Sequence, residues 1–167
     1  MHPMRRALLP ATAAIGMALA GSYGCHPADR HVIAGFERHR AEYEQLVVLA
    51  EQDRHLETVN RTWYRTQAGD YYESPHAGLL SEQRWSQYRG LFDVLQLDEG
   101  ISIADGNIHF RRSCIGLSVS GSTKGIAYFT YPPVAACEGP GSHPGDVTFE
   151  DTCYRHLSGK WYLFLWT

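Results

Sequence analysis

The hydrophobic pattern of this 167-residue chain changes its period near Gly100. Upstream of that glycine, apolar residues recur at the three-, four- and seven-residue spacing of an amphipathic helix. Downstream of it, apolar and polar residues alternate, as in strands that bury one face. Helices followed by a run of strands predict an α+β domain, with two or three N-terminal helices packed on one face of a five- or six-stranded antiparallel meander sheet.

Two helices are predicted before Gly100. The first covers residues 31 to 59, and its charged residues are interpreted as a solvated face. Residues 66 to 79, "TQAGDYYESPHAGL", contain two glycines and a proline and are expected to form a connection. The second helix begins after Ser81, a favoured N-cap residue, with Leu80 and Trp85 as a hydrophobic staple across the cap.

The segment "ISIADGNIHF" is the clearest hairpin signal in the chain. Asp105-Gly106 is a favoured two-residue turn of the primed type. A two-residue loop there predicts four cross-strand pairs: Ala104 with Asn107, Ile103 with Ile108, Ser102 with His109, and Ile101 with Phe110.

Two further strands are predicted at residues 114 to 120 and 126 to 131. The loop "GSTKG" would join them and leave Lys124 in solvent. Residues 134 to 150 contain five glycines and prolines and are expected to form a long loop.

The chain closes with "DTCYRHLSGKWYLFLWT", which predicts a second hairpin around Ser158-Gly159. The expected pairs are Leu157 with Lys160, His156 with Trp161, Arg155 with Tyr162, and Cys153 with Phe164. The last strand is apolar on both faces, a pattern that is rare at a sheet edge in water. We expect this strand to be central, or its second face to be covered by the long loop or by a partner.

Residues 1–24 are predicted to be a signal peptide, followed by one α+β envelope domain over residues 25–167. Two arginines precede an uncharged run from Ala7 to Ala20, which is too short to span a bilayer. Cleavage before Gly21 would release a soluble periplasmic protein. The alternative, favoured because Cys25 directly follows the apolar run, is a bacterial lipoprotein with Cys25 acylated and anchored at the periplasmic face of the envelope.

The four cysteines divide differently under these two alternatives. Cleavage before Gly21 leaves an even set, whereas acylation of Cys25 leaves Cys114, Cys137 and Cys153. An oxidising compartment favours a disulfide. We expect Cys137 to bond with Cys153, which would close a short loop and stabilise the domain by about 3 kcal/mol, and the alternative is Cys114 with Cys153.

The charge of the mature chain disfavours two kinds of partner. Removing residues 1–24 removes two arginines and no acid, leaving 13 Lys and Arg against 18 Asp and Glu, a net charge of −5. That balance argues against nucleic acid and against an anionic membrane surface.

No motif in the chain predicts a cofactor, a metal or a catalytic centre. "GLSVSGSTKG" departs from a phosphate-binding loop because Ser122 follows the second glycine and a strand comes next. The nine histidines show no zinc-site spacing, and G-x-S-x-G is missing from the chain. His109 and His156 lie on predicted strands that could share a face, so they are kept as candidates for a hydrolase.

Aromatic residues supply the remaining functional indication, because aromatic side chains anchor many protein interfaces. The candidate partner-binding residues are Trp63, Tyr64, Tyr71, Tyr72 and Trp166. The alternative is that these side chains serve the core.

The segments "RWSQYRGLFDVLQL", "GSTKGIAYF" and "YRHLSGKWYLFLW" resemble those of small uncharacterised bacterial envelope lipoproteins. In these proteins a short acylated N-terminus leads to a helix, a Lys-Gly-x-x-Tyr strand and a closing Trp-Tyr strand. The resemblance covers residues 36 to 167 and implies an envelope location, without active-site residues to transfer. Some small periplasmic lipoproteins of this kind protect the cell against toxins.

These observations predict a non-enzymatic periplasmic lipoprotein that binds a protein partner in the envelope, for example as an inhibitor or a toxin-immunity protein. Its membrane contact would be the N-terminal lipid. Two alternatives remain open at this point: an envelope hydrolase that uses a strand histidine, and a carrier of a small ligand or lipid.

Overall fold

The computed structural model describes residues 26–115, 121–133 and 152–166, with the backbone alone for residues 113–115 and 152. This part of the chain is α+β, with three helices and one eight-stranded antiparallel sheet. The helices are α1 (Asp29–Arg38), α2 (Arg40–Gln52) and α3 (Glu82–Leu95). The strands are β1 (Leu56–Val59), β2 (Tyr64–Thr66), β3 (Tyr71–Tyr72), β4 (Ile101–Ala104), β5 (Asn107–Ile115), β6 (Ser122–Tyr128), β7 (Thr152–Ser158) and β8 (Trp161–Trp166).

The strands lie in the order β3-β2-β1-β4-β5-β6-β8-β7. The prediction of a five- or six-stranded meander is therefore wrong in strand number and in its last connection, because β8 inserts between β6 and β7. β8 is paired on both sides, and its two faces pack against different apolar clusters. The expectation that the last strand is not an edge strand is confirmed, although β8 lies next to the edge strand β7 rather than at the centre of the sheet.

Each helix contacts the sheet through an aromatic side chain. The ring pairs are Phe36 of α1 with Trp161, Tyr43 of α2 with Phe110, and Trp85 of α3 with Tyr64. Cross-strand pairing places these three strand residues on one face of the sheet. All three helices therefore cover that face, and burying each such ring stabilises the fold by roughly 1.5–3 kcal/mol.

The single helix predicted over residues 31 to 59 is wrong. The chain leaves the helical conformation at His39, and α2 ends at Gln52. The carboxylate of Asp53, which is buried at the end of α2, accepts a hydrogen bond from the Tyr88 hydroxyl at 3.0 Å. Residues 56–59 then join the sheet as β1, because pairing with β2 and β4 outweighs the helical spacing of their apolar side chains.

The start of α3 agrees with the sequence. The hydroxyl of Ser81 accepts a hydrogen bond from the backbone N–H of Arg84 at 3.2 Å, which is the expected N-cap contact. Leu80 and Trp85 are both buried in the main core. The segment predicted as a connection, residues 66 to 79, also contains the two-residue strand β3.

The β4–β5 hairpin has the predicted register in all four pairs. β5 runs without interruption to Ile115, so the separate strand predicted from residue 114 is its continuation, and residues 116–120 lie outside the described residues.

The prediction of a loop around Lys124 is wrong. β6 begins at Ser122 and ends at Tyr128, so the segment "STKG" is part of a strand. Lys124 is buried on the helix-covered side, where its ammonium group pairs with Asp29 at 2.5 Å. Gly and Ser predict a turn from composition, but the pairing of β6 with β5 and β8 overrides that preference.

The closing hairpin is displaced by one residue from its predicted register. His156 pairs with Tyr162, and Arg155 with Leu163, because a bulge between His156 and Ser158 adds one residue to β7. The alternation within β8 is as expected. Trp161 and Leu163 join the main core, while Phe164, Tyr162 and Trp166 join a second cluster on the opposite face.

Within the described residues, no helix is both long enough and apolar enough to cross a membrane.

Candidate functional site

A groove of about 260 Å³ lies between α1, the C-terminal end of α3, and β5. We call it the basic groove. Its lining residues are His31, Ala34, Gly35, Arg38, His39, Val94, Leu95, Gln96 and Arg112. Four of these nine side chains are histidine or arginine, and none is a carboxylate, although the chain as a whole is acidic.

A bulge in β5 brings Arg112 into this groove. The register of β5 against β6 shifts between Arg111 and Ser113, so that Arg112 is the extra residue. Bulges of this kind redirect a side chain out of the regular alternation. The guanidinium group of Arg112 then donates a hydrogen bond to the Gln96 side-chain oxygen at 2.8 Å.

Gly35 makes room for that guanidinium group. A Cβ atom at Gly35 would lie 2.7 Å from Arg112 Nη1, closer than normal packing allows. The glycine therefore lets the Arg112 guanidinium group lie directly against α1, and a larger residue would force that group to shift.

The arginine charges of the basic groove are not neutralised within the described residues. Neither Arg38 nor Arg112 pairs with a carboxylate there, whereas eight other ion pairs are formed. His39 lies 3.8 Å from Glu42, and His31 accepts a long hydrogen bond from Arg30. The C-terminal end of α3 offsets part of the positive charge, because helix carbonyl groups there carry a partial negative charge.

An exposed apolar residue borders the basic groove. Val94 is 47% exposed and lines the groove from the last turn of α3. A pair of accessible guanidinium groups beside an apolar edge can bind a carboxylate while burying hydrocarbon around it.

A second groove, of about 420 Å³, lies between α2 and the turn end of β8. It contains Arg40 and Lys160, but also Glu44 and Glu51, so its charges are balanced. Arg40 bonds to Glu44 at 3.2 Å and lies over the Trp161 ring at 5.8 Å. These contacts give Arg40 and Glu44 a structural role in the second groove.

The predicted partner-binding aromatic residues fall into two stacked pairs and one distant residue. Trp63 and Tyr71 stack with ring centres 5.4 Å apart, and Tyr71 is 53% exposed. Tyr64 and Tyr72 stack at 5.1 Å, and Tyr64 is fully buried in the core. Tyr71 is therefore accessible for a partner, Trp63 and Tyr72 are half-buried, and Tyr64 is not accessible. A partner role for the pair of Trp63 and Tyr71 stays a prediction.

Trp166 lies in the second cluster, on the sheet face opposite the helices. His109 contacts its ring at 4.6 Å and shares a hydrogen bond with the Tyr154 hydroxyl at 3.1 Å. Burial lowers the pKa of His109 to about 4, with a further contribution from the Arg111 charge. Burial also raises the pKa of Tyr154, so its hydroxyl stays protonated and donates the hydrogen bond to a neutral His109.

His109 and His156 share this face, as the sequence suggested. They belong to one cross-strand row, separated by Ala127 and Tyr162 on the two intervening strands. Three strand spacings place their backbones about 14 Å apart, so the two imidazoles do not form one site. His156 is exposed and bonds to the Gly159 carbonyl at 3.0 Å.

The cysteine predictions fall largely outside the described residues. Cys25, the predicted acylation site, and Cys137, the predicted disulfide partner, both lie outside them. Cys153, on β7, is disulfide-bonded. Its pairing with Cys137 stays a prediction.

The basic groove has no signature in the sequence. Its four basic residues come from three separated segments, and the sequence interpretation placed Arg38 on a solvated helix face. The local indications of positive charge are two stretches that lie far apart in the sequence, "ERHR" at residues 37–40 and the adjacent Arg111 and Arg112. Within the described ranges, no group of three or more histidine, cysteine or acidic residues is arranged to hold a metal ion. No protein-family model, no curated protein and no solved structure matches this chain.

Proposed function

We propose that this chain is a lipid-anchored protein of the bacterial envelope that binds another protein, and that the basic groove accepts an acidic segment of that partner. One observation carries the proposal. Arg38 and Arg112 line a single groove, and neither has a carboxylate partner within the described residues. Several arginines elsewhere in the fold, among them Arg61 and Arg65, are paired with acids.

The size of the groove favours a side chain of a partner over a free small molecule. Its volume of about 260 Å³ lies below the ~300–1,000 Å³ of typical small-molecule sites. One or two carboxylate side chains fit such a space, and a guanidinium group binds a carboxylate through two parallel hydrogen bonds.

The charge of the groove also predicts how binding depends on salt. The groove is open to solvent, so its attraction for an acidic segment falls as the Debye length shortens from about 10 Å at 0.1 M salt to about 3 Å at 1 M. The apolar contact at Val94 does not weaken in that way, so binding should be reduced rather than abolished at high salt.

Site-specific crosslinking in the native cells tests this proposal. A photo-crosslinking amino acid replaces Val94, and the adducts are identified by mass spectrometry together with the crosslinked peptide. We expect one protein adduct whose crosslinked segment is rich in Asp and Glu. Arg112→Glu should reduce the adduct several-fold, and an acid-to-Lys change in the partner segment should restore it.

Two matched controls make the result specific. Arg54→Glu reverses an exposed charge outside the groove lining and should leave the adduct unchanged. The same crosslinker at Val48, which is 52% exposed on α2, should not give this adduct. Adducts that are lipids, or a protein adduct indifferent to Arg112→Glu, would refute the proposal. Inhibition of an enzyme or immunity to a toxin would each be a case of such partner binding, and the identity of the crosslinked protein distinguishes these roles.

A further inference from the structure

The first described residues of the chain are fastened to the sheet. His26 shares a hydrogen bond with the Ser122 hydroxyl at 2.6 Å. The Pro27 carbonyl accepts a hydrogen bond from Lys124 Nζ at 2.8 Å. Asp29 bridges Lys124 and Arg155, at 2.5 and 3.1 Å.

We call this set of contacts the N-terminal clamp. Its ionic contacts are rigid because Lys124 is buried. β6 is an interior strand, and the Lys124 side chain is only 11% exposed. Ionic hydrogen bonds at such a position are poorly screened by solvent. The clamp therefore fixes residues 26–29 against β6 and β7 rather than leaving them as a free linker.

The clamp marks one end of the sheet. β6 and β7 begin at that end, and β5 and β8 finish there. This follows because β8 is antiparallel to both β6 and β7, and β5 is antiparallel to β6. The opposite end carries the turns at residues 105–106 and 159–160. Seven residues of β6 separate the two ends by about 20 Å.

We infer that an acylated Cys25 holds this clamped end of the sheet against the membrane surface, with no flexible spacer between lipid and domain. Cys25 immediately precedes His26, and one peptide unit spans about 3.8 Å. The proposed lipid attachment point is therefore one residue away from the side chain that bonds to the start of β6. This inference rests on the acylation of Cys25 in the proposed function.

The occupant of this surface is a lipid bilayer, because the proposed acyl group on Cys25 comes directly before the clamped residues 26–29. A lipid on Cys25 cannot move away from the domain unless the contacts of His26, Pro27 and Asp29 break. The fixed orientation points the turns at residues 105–106 and 159–160 away from the membrane.

Lipid-headgroup quenching of two fluorescent positions tests the inference. The full-length chain is expressed with an environment-sensitive fluorescent amino acid in place of Gly121, just before β6, or in place of Lys160, in the distant turn. Both positions are exposed. The purified protein is reconstituted into phosphatidylcholine vesicles with a nitroxide on the lipid headgroup, and its intact mass reports acylation.

We expect the acylated protein to show several-fold stronger quenching with the fluorophore at position 121 than with the fluorophore at position 160. Lys124→Met should keep the acyl mass but reduce that ratio, because it releases Pro27 and Asp29 from β6. Equal or reversed quenching in acylated protein would overturn the inference and leave the anchor intact. A mature mass without an acyl group would overturn both the anchor and the inference, while binding at the basic groove would still be judged by its own crosslinking test.

Discussion

The N-terminal clamp predicts that its two charged partners differ in their effect on stability. Lys124 is almost fully buried, whereas the Asp29 side chain is 43% exposed. Asp29→Ala leaves the Lys124 ammonium group buried with one carbonyl partner, that of Pro27. Lys124→Met removes the buried charge, keeps most of the hydrocarbon stem, and leaves Asp29 paired with Arg155.

The size of each effect follows from these exposures. Removing one partner of a fully buried ion pair costs about 3–5 kcal/mol. Because Asp29 is partly solvated, we expect Asp29→Ala to lower the free energy of unfolding by about 2 kcal/mol. Lys124→Met leaves no buried unpaired charge, because Asp29 keeps Arg155 and is partly solvated, so this variant should cost no more than about 1 kcal/mol.

Urea unfolding of the mature chain, followed by tryptophan fluorescence, measures both effects. With a urea slope of about 1–3 kcal/mol per molar, a loss of 2 kcal/mol moves the midpoint by roughly 1 M. The double variant Asp29→Ala with Lys124→Met should be more stable than Asp29→Ala alone, since the unpaired ammonium group is then gone. Glu44→Ala, which breaks an exposed pair with Arg40, is the control and should change stability by about 0.5 kcal/mol or less.

The reasoning fails if Lys124→Met destabilises the chain more than Asp29→Ala does. It also fails if the double variant is less stable than Asp29→Ala, because Lys124 would then contribute through packing rather than as a buried charge.

Three further predictions concern a glycine, a histidine and an exposed tyrosine. Gly100→Ala should destabilise the fold by about 2 kcal/mol or more, since φ is +68° and the added Cβ would lie 2.1 Å from the Val59 carbonyl oxygen. Gly90→Ala, at an open site on α3, should instead stabilise the fold by about 0.5–1 kcal/mol. Calorimetry compares the stability of the two variants. The pKa of His109 in the folded chain, about 4, lies below the unfolded value of 6.5. The unfolded state therefore takes up a proton first as the pH falls. The free energy of unfolding should decrease by up to ~3 kcal/mol as the pH drops from about 6.5 to about 4. His109→Gln should flatten that dependence in urea titrations at several pH values, and an unchanged slope would contradict it. Tyr71→Ala should change the melting temperature little, because Tyr71 is half exposed, and a cost above about 2 kcal/mol would assign this residue to the core.

Much of the fold follows from local pattern and turn chemistry. Asp105-Gly106 sets the register of its hairpin because a two-residue loop permits only one pairing, and Ser81 begins a helix because its hydroxyl can accept a backbone hydrogen bond. The double-sided apolar pattern of the last strand places it inside the sheet. In each case the signal lies within about ten residues of the feature that it predicts.

The sequence-based predictions are wrong where contacts between segments far apart in the sequence decide the local structure. β1 follows a helical spacing of apolar residues, yet its pairing with β4 makes it a strand. Lys124 sits in a segment of turn-forming residues, and it is buried because Asp29, nearly a hundred positions away, supplies its counter-charge. The basic groove could not be predicted from the sequence for the same reason, since a bulge next to Arg111 turns Arg112 towards a glycine of α1.

The central claim is that the basic groove binds acidic protein segments, and a nuclear magnetic resonance titration tests it most directly. Isotope-labelled mature chain is titrated with a synthetic glutamate-rich peptide, with a lysine-rich peptide of equal length as the control. We expect amide shifts concentrated at Gly35, Gln96 and Arg112 with the acidic peptide alone, diminished at 1 M salt and lost in Arg112→Glu. Shifts centred elsewhere, or the same shifts with the basic peptide, would contradict the claim.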